Sequence, residues 1–385
     1  PYTLRFQFSD PSYDPTTVDG WWDPSDNWHV WKQGSTWTKV QGVEENQWDW
    51  YYPENDWDGS FDAAFMDSDN MVQVINGNSK GVTNMHKLFK YCHSLTSICW
   101  LDTSKVTTME EAFRWCRSLR LLPHFDTSNV TTMRLMCYRC ESLLEVPFFD
   151  THNVTDMSGM LGGGNRITSV PHFDTSNVTD ISYMLEMCSL ITSVPLFDTH
   201  NVTNMDGMLS GCESLASIPF FNTSNVTSME QTFGNCKSIT TIPQLDTSNV
   251  TTMRSLFLGC SSLSSVPLLD TSNVTNMWAM FASCTSIRNV PIFDTRKVTN
   301  MQIMFQGCIS LDEVPVLATD SVTNMTLTFD ECVNVQYGAF ALFNQASSQQ
   351  NPPTQHRGTF RNCGINTTIG RQNLASIPDD WKTWP

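Results

Sequence analysis

Apolar residues recur along this chain at a fixed interval of 24 residues. Valine occupies the same place in eleven consecutive copies, with no insertion or deletion between them. Methionine, cysteine and proline keep the same interval, with Ile181 and Gly164 as single substitutes in the methionine and cysteine series. Four residue types held in register over this length indicate a true internal repeat. The four series run from Val82 to Val322, from Met85 to Met325, from Cys92 to Cys332 and from Pro123 to Pro315.

One copy reads Leu-x-x-Val-Pro-x-Phe-Asp-Thr-Ser-Asn-Val-Thr-x-Met-x-x-Met-Phe-x-x-Cys-x-Ser. Its apolar positions recur mostly every three residues, which fits neither a long helix nor one continuous strand. A copy this small buries its apolar face only against neighbouring copies. We therefore predict a β-rich (α+β) solenoid, a right-handed superhelix of 24-residue repeats. Each copy should hold a short strand at Leu-x-x-Val-Pro-x-Phe, a polar turn, an extended piece at Val-Thr-x-Met and a single helical turn at Met-Phe-x-x-Cys.

The two ends of the chain depart from the repeat and predict capping regions. Residues 1–70 form a Trp-rich β N-terminal cap, for which an aromatic platform for glycans is the alternative. Residues 71–335 form the solenoid of about eleven repeats. Residues 336–385 form a C-terminal capping region, with a helix near residues 338–348 and a last repeat that carries insertions. In that last repeat, Leu374-x-x-Ile377 echoes the strand, and Trp381 and Trp384 close the end. The N-terminal tryptophans are Trp21, Trp22, Trp28, Trp31, Trp37, Trp48, Trp50 and Trp57.

Charge and hydropathy narrow the classes of partner. The chain has 39 acidic against 22 basic residues, a formal charge of −17, and we find no run of Lys or Arg that could neutralise phosphates. We therefore expect no nucleic acid partner. No stretch approaches the roughly 18–20 consecutive apolar residues of a membrane helix, so we expect no membrane span.

The unit Asp-Thr-Ser-Asn-Val-Thr-x-Met-x-x-Met-Phe-x-x-Cys-x-Ser-Leu, as in residues 270–287 and 294–311, closely resembles that of the BspA-like leucine-rich-repeat surface proteins of bacteria. The match covers residues 78–335. The resemblance implies a leucine-rich-repeat-like solenoid displayed on the cell surface, where it serves adhesion and host or matrix binding. The flanks are similar to ends found on such proteins in gut Bacteroidetes and in their phages. That similarity leaves a virion component, a tail fibre or receptor-binding protein, as the alternative.

Reactive residues are explained by the repeat itself. Ten of the thirteen Cys share one repeat position, which predicts a reduced column in the core, with scattered disulfides or a metal as alternatives. The recurrent Asp suits turn capping, with calcium between stacked carboxylates as the alternative. We see no zinc-binding His-Glu-x-x-His or Gly-x-Ser-x-Gly motif. We therefore expect no enzyme activity, no cofactor and no metal site.

A ligand-binding surface is predicted where the repeat varies. The residue after the Pro position should point opposite to the buried Phe that follows it. Facing outward, this row would form an apolar stripe larger than a soluble monomer leaves exposed; the alternative is that it packs inside the coil. The expected partner is a protein or glycan on another cell surface or particle, with a homo-oligomer or larger assembly left open. The expected location is extracellular, at the bacterial cell surface, or alternatively the virion. The candidate residues are Trp100, His124, Phe148, His172 and Phe220, with Arg134, Tyr183 and Trp278 on a second face.

Overall fold

A computed structural model of the chain describes residues 2–17, 21–23, 27–29, 35–43, 46–52 and 60–384. The chain divides into two compact units, Pro1–Val178 and Thr179–Pro385, called unit 1 and unit 2 below. The described residues are mostly non-helical, with a sheet in unit 1 and three short helices in unit 2. No helix in the described part of the chain is long and apolar enough to cross a membrane.

Unit 1 begins with a mixed five-stranded sheet, whose strands in spatial order are β4 (Thr36–Lys39), β5 (Gln47–Tyr52), β1 (Tyr2–Phe8), β6 (Met71–Asn78) and β7 (Ser97–Ile98). Strand β1 lies antiparallel between β5 and β6, and its Leu4, Phe6 and Phe8 are buried, as period-2 alternation requires. On the opposite face, the Arg5 guanidinium pairs with the Asp49 carboxylate at 2.7 Å. The predicted Trp31 and Trp57 lie outside the described residues. Two further strands, β2 (Trp21–Asp23) and β3 (Asn27–His29), pair with each other in a separate sheet.

Within each unit, parallel backbone bridges join residues 24 positions apart. The bridging residue is the one before the recurrent Met, inside the piece predicted to be extended. In unit 1 the bridges begin at Ser60, eleven residues before the predicted start of the repeats at residue 71, so residues 60–67 already follow the repeat backbone. The bridged residues are Ser60, Asn84, Thr108, Thr132 and Asp156 in unit 1, and Asp180, Asn204, Ser228, Thr252, Asn276, Asn300 and Asn324 in unit 2.

The segment from Met to Cys is a series of tight turns, so the predicted helical turn is wrong. Between Met277 and Cys284, the amides of Met277, Ala279, Phe281 and Ser283 donate to carbonyls of the next repeat at 2.7–3.0 Å. The amides of Met280, Ala282 and Cys284 donate three residues back, as in Cys284 N to Phe281 O at 3.0 Å. Ala279 and Ser283 have φ of 56° and 61°, in the left-handed region that an α-helix excludes.

The predicted strand at Leu-x-x-Val-Pro-x-Phe is also wrong for most described repeats. The short strand β7 lies there in the first copy, and Glu313 forms an isolated bridge to Tyr337. Elsewhere the segment has no strand, and a single amide commonly joins it to the preceding repeat, as in Leu144 N to Arg120 O at 3.0 Å. The Pro in this segment has no N–H to donate, so a regular ladder cannot continue through it.

The recurrent Val, Met and Cys side chains are buried throughout the described repeats. Phenylalanines stack beside them, with ring centroids 5.7 Å apart for Phe65 and Phe89 in unit 1. In unit 2 the corresponding spacing is 5.2 Å for Phe305 and Phe329. Repeated burial of identical side chains is what makes stacked copies stable together although each is unstable alone.

The C-terminal region differs in two ways from its prediction. The predicted helix is present as α1 (Ala339–Ser347), and α2 (Thr368–Ala375) and α3 (Asp379–Lys382) follow it. Leu374, predicted to echo a strand, lies within α2. Trp381 is buried against Phe343 and Phe360, whereas Trp384 is 47% exposed, so Trp381 alone of the two closes the core.

Candidate functional site

The row after the Pro position faces solvent. In unit 1, Trp100 and Phe148 are 63% and 59% exposed, and His124 and His172 are exposed as well. Each lies directly before a buried residue of the core, for example Phe149 after Phe148. The alternative that this row packs inside the coil is therefore excluded for these residues.

Unit 2 carries the same row with comparable exposure. Phe220 and Ile292 are 63% and 71% exposed, and the amide of Gln244 donates to the carbonyl of Leu268 at 2.8 Å. An exposed apolar row of this kind is unusual on a surface that meets only water. The row in unit 2, called the apolar row below, is Leu196, Phe220, Gln244, Leu268, Ile292 and Val316.

Part of the apolar row lines a surface groove of about 650 Å³. Its lining includes Phe220, Leu268 and Ile292, together with carboxylates two residues after the row position in three repeats. Sequence reasoning assigned those carboxylates to turn capping and missed their place beside the row. The two-residue spacing between the row and the Asp series could have predicted this, because residues i and i+2 of an extended chain point to the same side. The groove carboxylates are Asp246, Asp270 and Asp294.

Local hydrogen bonds keep these carboxylates ionised. Asp246 accepts from the Ser248 hydroxyl at 2.7 Å and from its amide at 3.1 Å, and these bonds lower the pKa of Asp246. Asp270 has a lowered pKa from the equivalent Ser272. A bidentate bond from the Arg296 guanidinium lowers the pKa of Asp294 to about 2. The groove therefore presents apolar and anionic side chains together at neutral pH.

The residues of the second predicted face have different surroundings within their own units. In unit 1, exposed Arg134 pairs with Glu110 at 2.7 Å. In unit 2, the backbone of Tyr183 has a φ of 55°, and its ring covers Gly207, where an added Cβ would lie 2.4 Å from the ring. Trp278 lies four repeats further along the sequence, beneath the Arg254 guanidinium at 4.7 Å.

Cysteines and possible metal ligands are engaged within the protein. The thirteen Cys are free, and all but the half-buried Cys99 are buried. His86, Glu110 and Glu111 lie close enough together to share a metal ion. Their atoms already face other charges, with His86 Nδ1 2.8 Å from Asp62, and with Glu111 accepting from Lys90 and Arg114 at 2.7 and 2.9 Å. The candidate ligand atoms therefore already belong to a network of ion pairs.

Comparison with known proteins shows that the model of one protein family matches the chain. The family described as "Mycoplasma protein of unknown function, DUF285" matches residues 59–169, 143–241, 164–264 and 238–341. No curated protein matches the chain.

Two solved structures share a limited likeness with the chain. One is a leucine rich cell surface protein from Faecalibacterium prausnitzii A2-165, with 18% identity, a TM-score of 0.36, and coverage of 63% of this chain and 78% of that one. The other is a leucine-rich-repeat protein from Eubacterium ventriosum ATCC 27560, with 16% identity, a TM-score of 0.40, and coverage of 68% and 83%.

Proposed function

We propose that this chain, which belongs to the family described as Mycoplasma protein of unknown function, DUF285, is a recognition protein that binds a partner on another cell surface or particle. In this proposal its 24-residue repeats form a right-handed, BspA-like leucine-rich-repeat solenoid displayed outside the bacterial cell. The parallel bridges 24 residues apart support the repeat geometry. Binding, without catalysis, is the proposed role.

The observation that carries the proposal is the exposure of the apolar row. Phe220, Leu268 and Ile292 are each more than 60% exposed, although each lies next to a core residue on a regular scaffold. Leaving large apolar side chains in water gains nothing for folding, because the stability of the repeat comes from the buried columns. Exposed rows of this kind mark interaction surfaces.

The groove favours a polypeptide partner that carries basic and apolar side chains together. Asp246 and Asp270 are held by Ser amides and hydroxyls, which leaves their negative charge available to a partner cation. A Lys or Arg stem can cover apolar surface while its charged end reaches a carboxylate. We therefore propose a protein partner for the groove, and a glycan partner is an outcome of the test.

The test measures binding of the full chain to a panel of extracellular matrix proteins by biolayer interferometry, with a glycan array in parallel. The double variant Phe220→Ser/Ile292→Ser removes two of the three large apolar row residues in the groove, and Ile309→Ser removes an apolar side chain that is 44% exposed outside the row. We expect at least one matrix protein to bind wild type, to lose at least tenfold in affinity with the double variant, and to weaken with added salt.

Three results would count against this function. The first is an absence of binding to any matrix protein, and the second is equal loss in the Ile309→Ser control. The third is binding to glycans alone, which would replace the protein partner by a carbohydrate.

A further inference from the structure

In unit 1, three successive repeats carry bulky side chains at a backbone position where glycine is otherwise common. Tyr91, Trp115 and Arg139, each directly before a column Cys, have φ of 64°, 66° and 64°. Left-handed backbone disfavours side chains, and such strain concentrates at functional positions. The same position is left-handed at Met187, Asn235, Ser283 and Glu331 as well, so the aromatic rings and guanidinium group of these three residues, and not the backbone alone, set them apart. The equivalent residues of four other repeats are Gly163, Gly211, Gly259 and Gly307.

The three side chains and two neighbours form one cluster of aromatic rings and guanidinium groups. The rings of Tyr91 and Trp115 lie 6.4 Å apart. The Arg117 guanidinium lies 4.6 Å from the Trp115 ring, and that of Arg139 lies 5.8 Å from Trp115 and 5.6 Å from Tyr138. We call Tyr91, Trp115, Arg117, Tyr138 and Arg139 the arginine–aromatic cluster.

The next repeat leaves room for this arrangement. Gly163 follows Arg139 by one repeat, and a Cβ added there would lie 2.6 Å from the Arg139 Cδ and 3.2 Å from its Cα. A side chain at residue 163 would therefore displace the Arg139 stem. The bulky residue in one repeat and the glycine in the next together fix the position of the guanidinium.

The cluster lies in a basic segment of an acidic chain. Residues 86–141 contain eight of the 22 Lys and Arg but five of the 39 Asp and Glu. Part of this positive charge is neutralised internally, because Glu111 pairs with Lys90 and Arg114, and Glu110 with Arg134.

The two arginines of the cluster lack such close partners. Arg117 is exposed, and its nearest carboxylate in the described part of the chain is that of Glu141 at 3.9 Å. Arg139 forms no ion pair with any described residue, and its Nε is buried with no hydrogen-bond partner among them. Arg139 therefore carries a charge that no carboxylate in the described part of the chain neutralises, and this charge favours an anionic ligand.

We propose that the arginine–aromatic cluster binds the carboxylate or sulfate group of an acidic oligosaccharide. Arg117 and Arg139 supply planar, charged donors that match a two-oxygen acceptor. Trp115 orients both guanidinium groups, and the half-buried Tyr91 and Tyr138 give apolar flanks for the sugar ring. This site lies in unit 1 and does not depend on the groove of unit 2.

A nucleic acid fits the cluster poorly. The affinity of a protein for nucleic acid depends on neutralising several phosphates at once, whereas the two arginines of the cluster neutralise about two charges. The net charge of −17 opposes a long polyanion elsewhere on the chain. A short ligand with one or two anionic groups avoids that repulsion.

Titration of the full chain with hexagalacturonate by calorimetry tests the proposal. The neutral comparison is a galactose hexasaccharide, and inorganic sulfate and a short oligoglutamate are further probes. We expect hexagalacturonate to bind, and Arg139→Gln and Arg117→Gln each to weaken it at least tenfold. Arg254→Gln is the matched control, because Arg254 also lies over a tryptophan, at 4.7 Å from Trp278, and has a carboxylate at 3.7 Å, as Arg117 has one at 3.9 Å, but it lies in unit 2 outside the cluster.

The outcomes separate as follows. Binding lost in both cluster variants and kept within twofold in Arg254→Gln supports the site, as does weak competition by sulfate. No binding of hexagalacturonate, equal binding of the neutral hexasaccharide, or stronger binding of oligoglutamate overturns it. Should Arg139→Gln alter the melting temperature, the exposed Arg117→Gln decides on its own.

Discussion

The thiol of Cys260 donates to the carbonyl oxygen of Phe233, 27 residues earlier, at an Sγ to O distance of 3.0 Å. The same bond recurs along the cysteine column, as from Cys284 to Phe257 and from Cys308 to Phe281. The donated proton satisfies a carbonyl that lies among buried side chains. The column therefore consists of hydrogen-bond donors as well as small apolar groups, which is a reason for Cys rather than Ala at this position.

Replacing a column Cys by Ala should destabilise the protein. Cys260→Ala removes the thiol donor, and the Phe233 carbonyl keeps its bond from the Cys236 amide at 3.1 Å, so the expected cost is about 0.5–1.5 kcal/mol in the free energy of unfolding. Urea denaturation measures the change. Cys99→Ala is the control, because Cys99 lies outside the column and is half-buried. An equal loss in both variants would show that the thiol bond contributes nothing.

Because these thiols are buried, we predict that the free energy of unfolding decreases at alkaline pH. Burial raises the pKa of Cys260 to about 12 in the folded protein, above roughly 8.5 for a free thiol. A thiol whose pKa is higher in the folded than in the unfolded protein stabilises the fold fully at pH values below its unfolded-state pKa. This stabilisation decreases as the pH rises from the unfolded-state pKa to the folded-state pKa. Each such thiol should remove about 1.4 kcal/mol per pH unit in that window.

Urea denaturation at pH 7.5, 8.5, 9.5 and 10.5 in reducing buffer measures this effect. The free energy of unfolding should fall steeply above about pH 9, because unfolding exposes many thiols whose pKa is raised in the folded protein. Cys260→Ala lacks one titrating group, so its slope should be smaller by one thiol's share. Identical slopes in wild type and variant would contradict the assignment.

Alanine substitutions at two glycines of the same repeat position distinguish the cost of backbone strain from the cost of close packing. Gly211 and Gly307 have φ of 76° and 71°. An added Cβ would lie 3.2 Å from the Met187 Cα in the first case and 3.7 Å from the Ser283 Oγ in the second. Gly307→Ala should cost about 1 kcal/mol from the left-handed backbone alone, and Gly211→Ala should cost measurably more. Equal melting temperatures of the two variants would refute the packing contribution.

Sequence periodicity predicted the buried columns and the interval between bridges, because both depend on which residues recur. It did not predict the backbone between Met and Cys. Left-handed φ occurs there at residues as different as Leu135, Tyr183 and Ile303, so no residue type marks it. The arginine–aromatic cluster was missed for a related reason. Its members are variable residues scattered over 49 positions, and the fold brings them together only by stacking neighbouring repeats.

The alternation of the row and the core can be tested on adjacent phenylalanines. Phe220 is 63% exposed and Phe221 is fully buried, although they are chemically identical neighbours. Phe221→Ala should cost about 3–5 kcal/mol, the usual effect of deleting a buried Phe side chain. Phe220→Ala should change the free energy of unfolding by no more than about 0.5 kcal/mol, as for other surface positions. Urea denaturation of both variants, with Phe148→Ala and Phe149→Ala as the equivalent pair in unit 1, measures the difference. A large loss in Phe220→Ala would mean that the row supports folding, and its exposure would then no longer argue for binding.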